Sequence, residues 1–91
     1  MGSPGKPERF TANGALSQTR RVAIDSITLC AGSDAATVTV KEGGSGGTVI
    51  WEGRVATAND SIPFPFPQGM AVTAAYITLT GTSPNATVVY R

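Results

Sequence analysis

The sequence predicts an all-β fold, a small antiparallel β-sandwich of jelly-roll-like form with an extended N-terminal arm. Three observations lead there. Part of the chain occurs twice: Val22 to Lys41 reads VAIDSITLCAGSDAATVTVK, and fifty positions on, without a gap, Val72 to Arg91 reads VTAAYITLTGTSPNATVVYR, with eight of twenty positions identical. Each copy is an apolar alternating run, a short polar turn and a second alternating run, the pattern of a β-hairpin. Between the copies, Ile62-Pro63-Phe64-Pro65-Phe66-Pro67 has the composition of a sheet edge.

Composition bounds the rest. Ninety-one residues make one domain with a small core. Small folds add disulfides, metals or oligomerisation. One cysteine excludes an intrachain disulfide, and the absence of histidine and of any cysteine cluster argues against zinc, so no metal or cofactor is expected. Oligomerisation is the stabiliser that remains. Seven basic and six acidic side chains nearly cancel, with no basic patch for nucleic acid. No apolar run approaches a membrane span. The opening MGSPGKPERFTANGALSQ is polar and lacks the apolar stretch of a secretory signal, so the expectation is a chain made and assembled in a cytoplasm.

Taken in order, residues 1–20 form the expected arm and residues 21–91 the sandwich. Pro4 and Pro7 remove backbone donors in the arm, Gly2, Gly5 and Gly14 add chain entropy, and Phe10 and Leu16 are its apolar anchors. Fully extended, it could reach roughly 65 Å. Two readings stand: a disordered tail, or an arm that docks on a neighbouring subunit. The first strand spans about Arg21–Cys30. Val22 and Ile24 share one face, but Ile27 and Leu29 follow in the opposite phase, so a β-bulge near Asp25-Ser26 is expected. The second copy repeats the slip, with Val72 and Ala74 followed by Ile77 and Leu79. The return strands are about Ala36–Glu42 and Ala86–Tyr90. Gly43-Gly44-Ser45-Gly46-Gly47 is a tip joining two strands, because Thr48-Val49-Ile50-Trp51-Glu52 follows it as a strand and not as the helix a phosphate loop needs.

In the Pro-Phe segment, Pro63, Pro65 and Pro67 strip every donor from one lateral side, so the strand can pair with one neighbour only. Each proline also holds the residue before it extended. Ile62, Phe64 and Phe66 then share one face, directed at the core. The rival reading is a polyproline ligand, although the spacing is not PxxP and the phenylalanines favour burial.

No catalytic constellation is visible. Cys30 has no histidine to act as its base, which favours a structural thiol over a nucleophile. Trp51 suits the core, a stacking platform or a subunit interface, with the core favoured. Asp25, Asp34, Glu42, Glu52 and Asp60 are scattered, without the facing pair that hydrolysis requires and without EF-hand spacing, though a loop calcium site stays open. The doublet Arg20-Arg21 is solvated or anchors an acidic neighbour. Asn85-Ala86-Thr87 fits a glycosylation pattern by chance, since it sits at a strand start.

The stretch DSITLCAGSDAATVTVKEGGSGGTVIWE, followed later by FPQGMAVTAAYITLTGTSPNATVVYR, resembles small β-sandwich virion proteins of tailed bacteriophages. The shared pattern is an Ala-Gly-Ser-Asp-Ala turn with a Thr/Val strand, a Gly-rich turn with a "GTV" strand, and a closing hairpin of the ITLTGT…ATVVY kind. It covers about residues 20–91 and leaves the arm unmatched. The resemblance implies a non-enzymatic virion component, a capsid decoration or cement protein that bridges neighbouring capsid subunits. Its partner would be the major capsid protein or another virion protein, and symmetric shell sites favour a homotrimer. The expected contact residues are Arg9, Phe10, Leu16, Arg20, Arg21, Trp51 and Tyr76. The alternative is a head–tail junction, fibre or adhesin module that binds a cell-surface glycan or protein.

Overall fold

The computed structural model describes residues 6–16 and 20–91. These described residues form eight strands: β1 (Lys6–Phe10), β2 (Gly14–Ala15), β3 (Arg21–Cys30), β4 (Ala36–Glu42), β5 (Thr48–Val55), β6 (Ser61–Thr73), β7 (Tyr76–Thr80) and β8 (Asn85–Tyr90). They form two four-stranded antiparallel sheets, β1-β8-β3-β6 and β2-β7-β4-β5. β1 pairs with β8, β2 with β7, β3 with β6 and β4 with β5. The chain is thus one long antiparallel strip with its apex at Gly43–Gly47, rolled so that β3 also meets β8 and β4 also meets β7. Eight strands in two sheets joined this way are a jelly roll.

The rolling corrects the hairpin expectation. Strands β3 and β4 lie in opposite sheets, as do β7 and β8, so each copy of the repeat is an arch across the core. Alternation fixes which residues point inward, and an arch needs the same inward set as a hairpin, so the sequence pattern fits both. The first copy crosses from the first sheet to the second, and the second copy crosses back. The two copies therefore pair with each other. Ile27 faces Val88 and Leu29 faces Ala86 in one sheet, while Val38 faces Leu79 and Val40 faces Ile77 in the other. The two ladders differ by an offset of two residues under the fifty-residue shift. An even offset preserves the inward faces.

The expected bulge in β3 is present. Its register with both β6 and β8 shifts between Ile24 and Ser26, leaving Asp25 unpaired, so Val22, Ile24, Ile27 and Leu29 are all buried. The matching slip in the second copy has a different cause. Val72 ends the inward set of β6, Ala74 adopts a left-handed φ of 53°, and the chain passes into the other sheet before Ile77. The Ala74 N–H donates to the Arg20 carbonyl (3.1 Å) and its carbonyl accepts from the Gly44 N–H (2.9 Å), which ties this corner to the glycine tip.

The two turns of the repeat meet at the other end of the sandwich. A Cβ on Gly32 would lie 2.0 Å from the Thr82 carbonyl oxygen, and one on Gly81 would lie 2.6 Å from that of Ala35. Backbone packs on backbone here, and Thr82 Oγ1 donates to Asp34 Oδ2 (2.9 Å) across the same contact. The core between the sheets holds Ile24, Ile27, Leu29, Val38, Val40, Val55, Val72, Ile77 and Val88, all fully buried.

The boundary expected at residue 20 is displaced. Lys6–Phe10 and Gly14–Ala15 are extended, but they are edge strands of the sandwich rather than a projecting arm. Burial of two anchors explains it: Phe10 and Leu16 are each 6% exposed and belong to the core of their own chain. Asn13 completes the link, its Oδ1 accepting from the Leu79 N–H at 2.8 Å. Residues 1–5 and 17–19, the remainder of the expected arm, lie outside the described residues. Truncating Phe10→Ala is expected to cost about 3 kcal/mol in urea unfolding, as for other buried aromatics. An unchanged midpoint would return this segment to the status of a free arm.

Candidate functional site

The flank bounded by β5 and β6 brings together three of the six aromatic side chains, Trp51, Phe64 and Phe66. β5 ends one sheet and β6 ends the other, and these two edges face each other. Trp51 of β5 meets Phe64 and Phe66 of β6 edge-on, with ring centroids 5.2 Å apart in each case and interplanar angles of 73° and 82°. T-shaped contacts place the positive ring edge on the negative face. All three rings, with Ile62, are partly buried against the core.

Local sequence explains the geometry. Ile62, Phe64 and Phe66 alternate with exposed Pro63, Pro65 and Pro67, and among the described residues β6 pairs with β3 alone, as an edge strand should. The polyproline-ligand reading falls away, since this segment pairs as a strand and its rings face the core. On β5, Trp51, Gly53 and Val55 point inward. A Cβ on Gly53 would sit 2.5 Å from Trp51 Cη2 and 3.1 Å from Phe64, so the missing side chain is what admits the indole.

Beyond Pro65, β6 bulges out. Phe66, Pro67, Gln68 and Gly69 lie opposite the single residue Asp25, because Pro65 pairs with Ser26 and Met70 with Ile24. These four residues line a shallow, mainly apolar cleft of about 360 Å³. Gly69 has φ +74°, which only glycine adopts freely, and the site of its absent Cβ lies 3.4 Å from an Arg91 nitrogen. Arg91 Nε donates to Asp25 Oδ1 (2.9 Å) and Oδ2 (3.1 Å), and Nη2 lies 2.9 Å from Oδ1. This hydrogen bond, and then the charge of Asp25, raise the arginine above its ordinary value. A raised folded value means the contribution is full below the unfolded one and is lost only far above neutral pH. A second cleft, about 560 Å³, lies at the turn end between Thr11–Asn13 and Leu79, Gly81, Ser83 and Pro84.

The residues expected to make partner contacts do not converge. Arg9 is exposed on β1, while Phe10 and Leu16 are in the core, where they cannot meet another molecule. Arg20 and Arg21 are exposed at the start of β3, and Tyr76 is half-buried at the start of β7, opposite Ala15 and Lys41. Trp51 is half-buried on the opposite flank from β1 and β2. Cys30 is half-buried at the end of β3, with Ser61 and Asn85 as strand neighbours. Among the described residues no group of three His, Cys, Asp or Glu side chains could hold a metal ion. The flank presents partly exposed ring faces beside the strand edge of β5.

Sequence reasoning found Trp51 and missed Gly53, Val49 and Ile50. The signal for Gly53 was available, since a glycine inside a strand marks a close approach. Val49 and Ile50 are exposed because the β4–β5 register shifts between Val40 and Lys41, leaving Ile50 unpaired, and nothing in the alternation announces that.

No protein-family model matches the chain, and no curated protein matches it.

Gly53→Ala is expected to lower stability by about 1–2 kcal/mol, overpacking outweighing the gain in strand propensity. Trp51 emission should shift to the red as the indole is pushed towards solvent. Unchanged emission with unchanged stability would contradict this packing.

Proposed function

We propose that the chain is a non-enzymatic structural subunit of a tailed-bacteriophage particle, a capsid decoration or cement protein that binds the major capsid protein and bridges neighbouring subunits. The observation that carries this reading is the eight-stranded jelly-roll order, an architecture used by viral capsid proteins and also by lectins. Fold alone does not assign function, so the reading also draws on the resemblance in turn and strand residues set out above. Bridging suits a small body with modest surfaces. Several weak contacts to one shell combine through effective concentration, so no single one has to be tight.

A second reading, a fibre or adhesin module that binds a glycan or protein, draws on the aromatic flank. Phe66 forms part of the cleft wall and touches Trp51, and an apolar wall with a few polar groups is what a small binding site presents.

Quantitative mass spectrometry of purified particles of a phage encoding this chain separates the two. Decoration predicts a copy number comparable with that of the major capsid protein. A copy number that is a small fraction of it would favour the fibre or junction module, and absence from the particle would overturn both.

A further inference from the structure

Among the described residues four strands have a free lateral edge, and they are protected unequally. β6 carries Pro63, Pro65 and Pro67, β1 carries Pro7, and β2 is two residues long. Each device hinders pairing with another chain. β5 has eight residues and no proline, and it carries both large apolar side chains that are well exposed among the described residues, Val49 at 50% and Ile50 at 39%. The bulge at Ile50 affects only one end. From Trp51 to Val55 the strand stays in regular register with β4, so its far side offers an unbroken row of backbone donors and acceptors.

We propose that β5 pairs antiparallel with β5 of a second copy of this chain, about a two-fold axis at Gly53, making one continuous eight-stranded sheet. The strand is self-complementary in that register. Glu52 and Arg54 are both exposed on the outer face, and centring on Gly53 sets each opposite the other's counterpart in the second copy. Two opposite-charge cross-strand pairs result. A two-residue shift, which keeps inward faces together, brings Glu52 against Glu52 or Arg54 against Arg54. A one-residue shift sets Trp51 against an outward position. The inward residues also match, Trp51 of one copy lying opposite Val55 of the other beside the half-buried Phe64 and Phe66. The prolines of β6 keep the other sheet from pairing, so the contact extends one sheet only.

The inference is independent of the virion reading, and it replaces the three-fold assembly expected from shell symmetry with a two-fold one. The test is sedimentation of the full chain over a concentration series, with E52R, R54E and the double swap E52R/R54E. These side chains are exposed, so the fold should survive each change. Wild type should form a dimer. Each single swap should weaken dimerisation about tenfold, because it creates two like-charge pairs, and the double swap should restore it. A monomer throughout, a trimer, single swaps without effect, or a double swap that fails to restore the dimer would each overturn the proposal. A monomer that captures an added extended peptide on β5 would overturn it too, assigning the edge to a different partner.

Discussion

The structure depends on two central ladders, β3 with β8 and β4 with β7. They join the two copies of the internal repeat, one ladder in each sheet. Of the nine fully buried large side chains, Ile24, Ile27, Leu29, Val38, Val40, Ile77 and Val88 sit on these four strands. Burying a side chain of this size contributes about 1.5–3 kcal/mol. Outside the core, the ladders set threonine against threonine. Thr28 faces Thr87 in one sheet, and Thr39 faces Thr78 in the other with their hydroxyls hydrogen-bonded. Cross-strand pairs of this kind add a few tenths of a kcal/mol each. A repeat whose copies cross the core in opposite directions supplies one central pair to each sheet.

Once the centre is fixed, the flanks differ. On one side the short strands β1 and β2 close the sandwich with Phe10 and Leu16. On the other side β5 and β6 close it with aromatic rings that remain partly exposed. The closure at β5 and β6 is less complete because four residues of β6 bulge away from Asp25. An incompletely covered apolar flank beside an unprotected strand edge is a surface suited to association. A two-fold dimer would present every other surface twice, which favours bridging between neighbouring sites.

Much of this was legible in the residues. The span of β3, the bulge at Asp25, the glycine tip and the edge position of β6 all follow from alternation and from which residues lack a backbone donor. Two features were not. Hairpin and arch share one inward pattern, so Ile27 and Val38 look the same whether their strands pair or face each other across a core. The strands β1 and β2 are short and carry Pro7 and Gly14, so by local pattern they read as a tail; their pairing with β8 and β7 and the burial of Phe10 and Leu16 show otherwise. At the candidate site Trp51 stood out by type, while the exposure of Val49 and Ile50 depended on a bulge that no local pattern specifies.

The most direct test of the crossed-arch arrangement is a set of cross-strand proton contacts measured by NMR. The account predicts backbone contacts joining Thr28 to Thr87 and Thr39 to Thr78. Contacts running down a ladder between β3 and β4, as two separate hairpins would give, would contradict it.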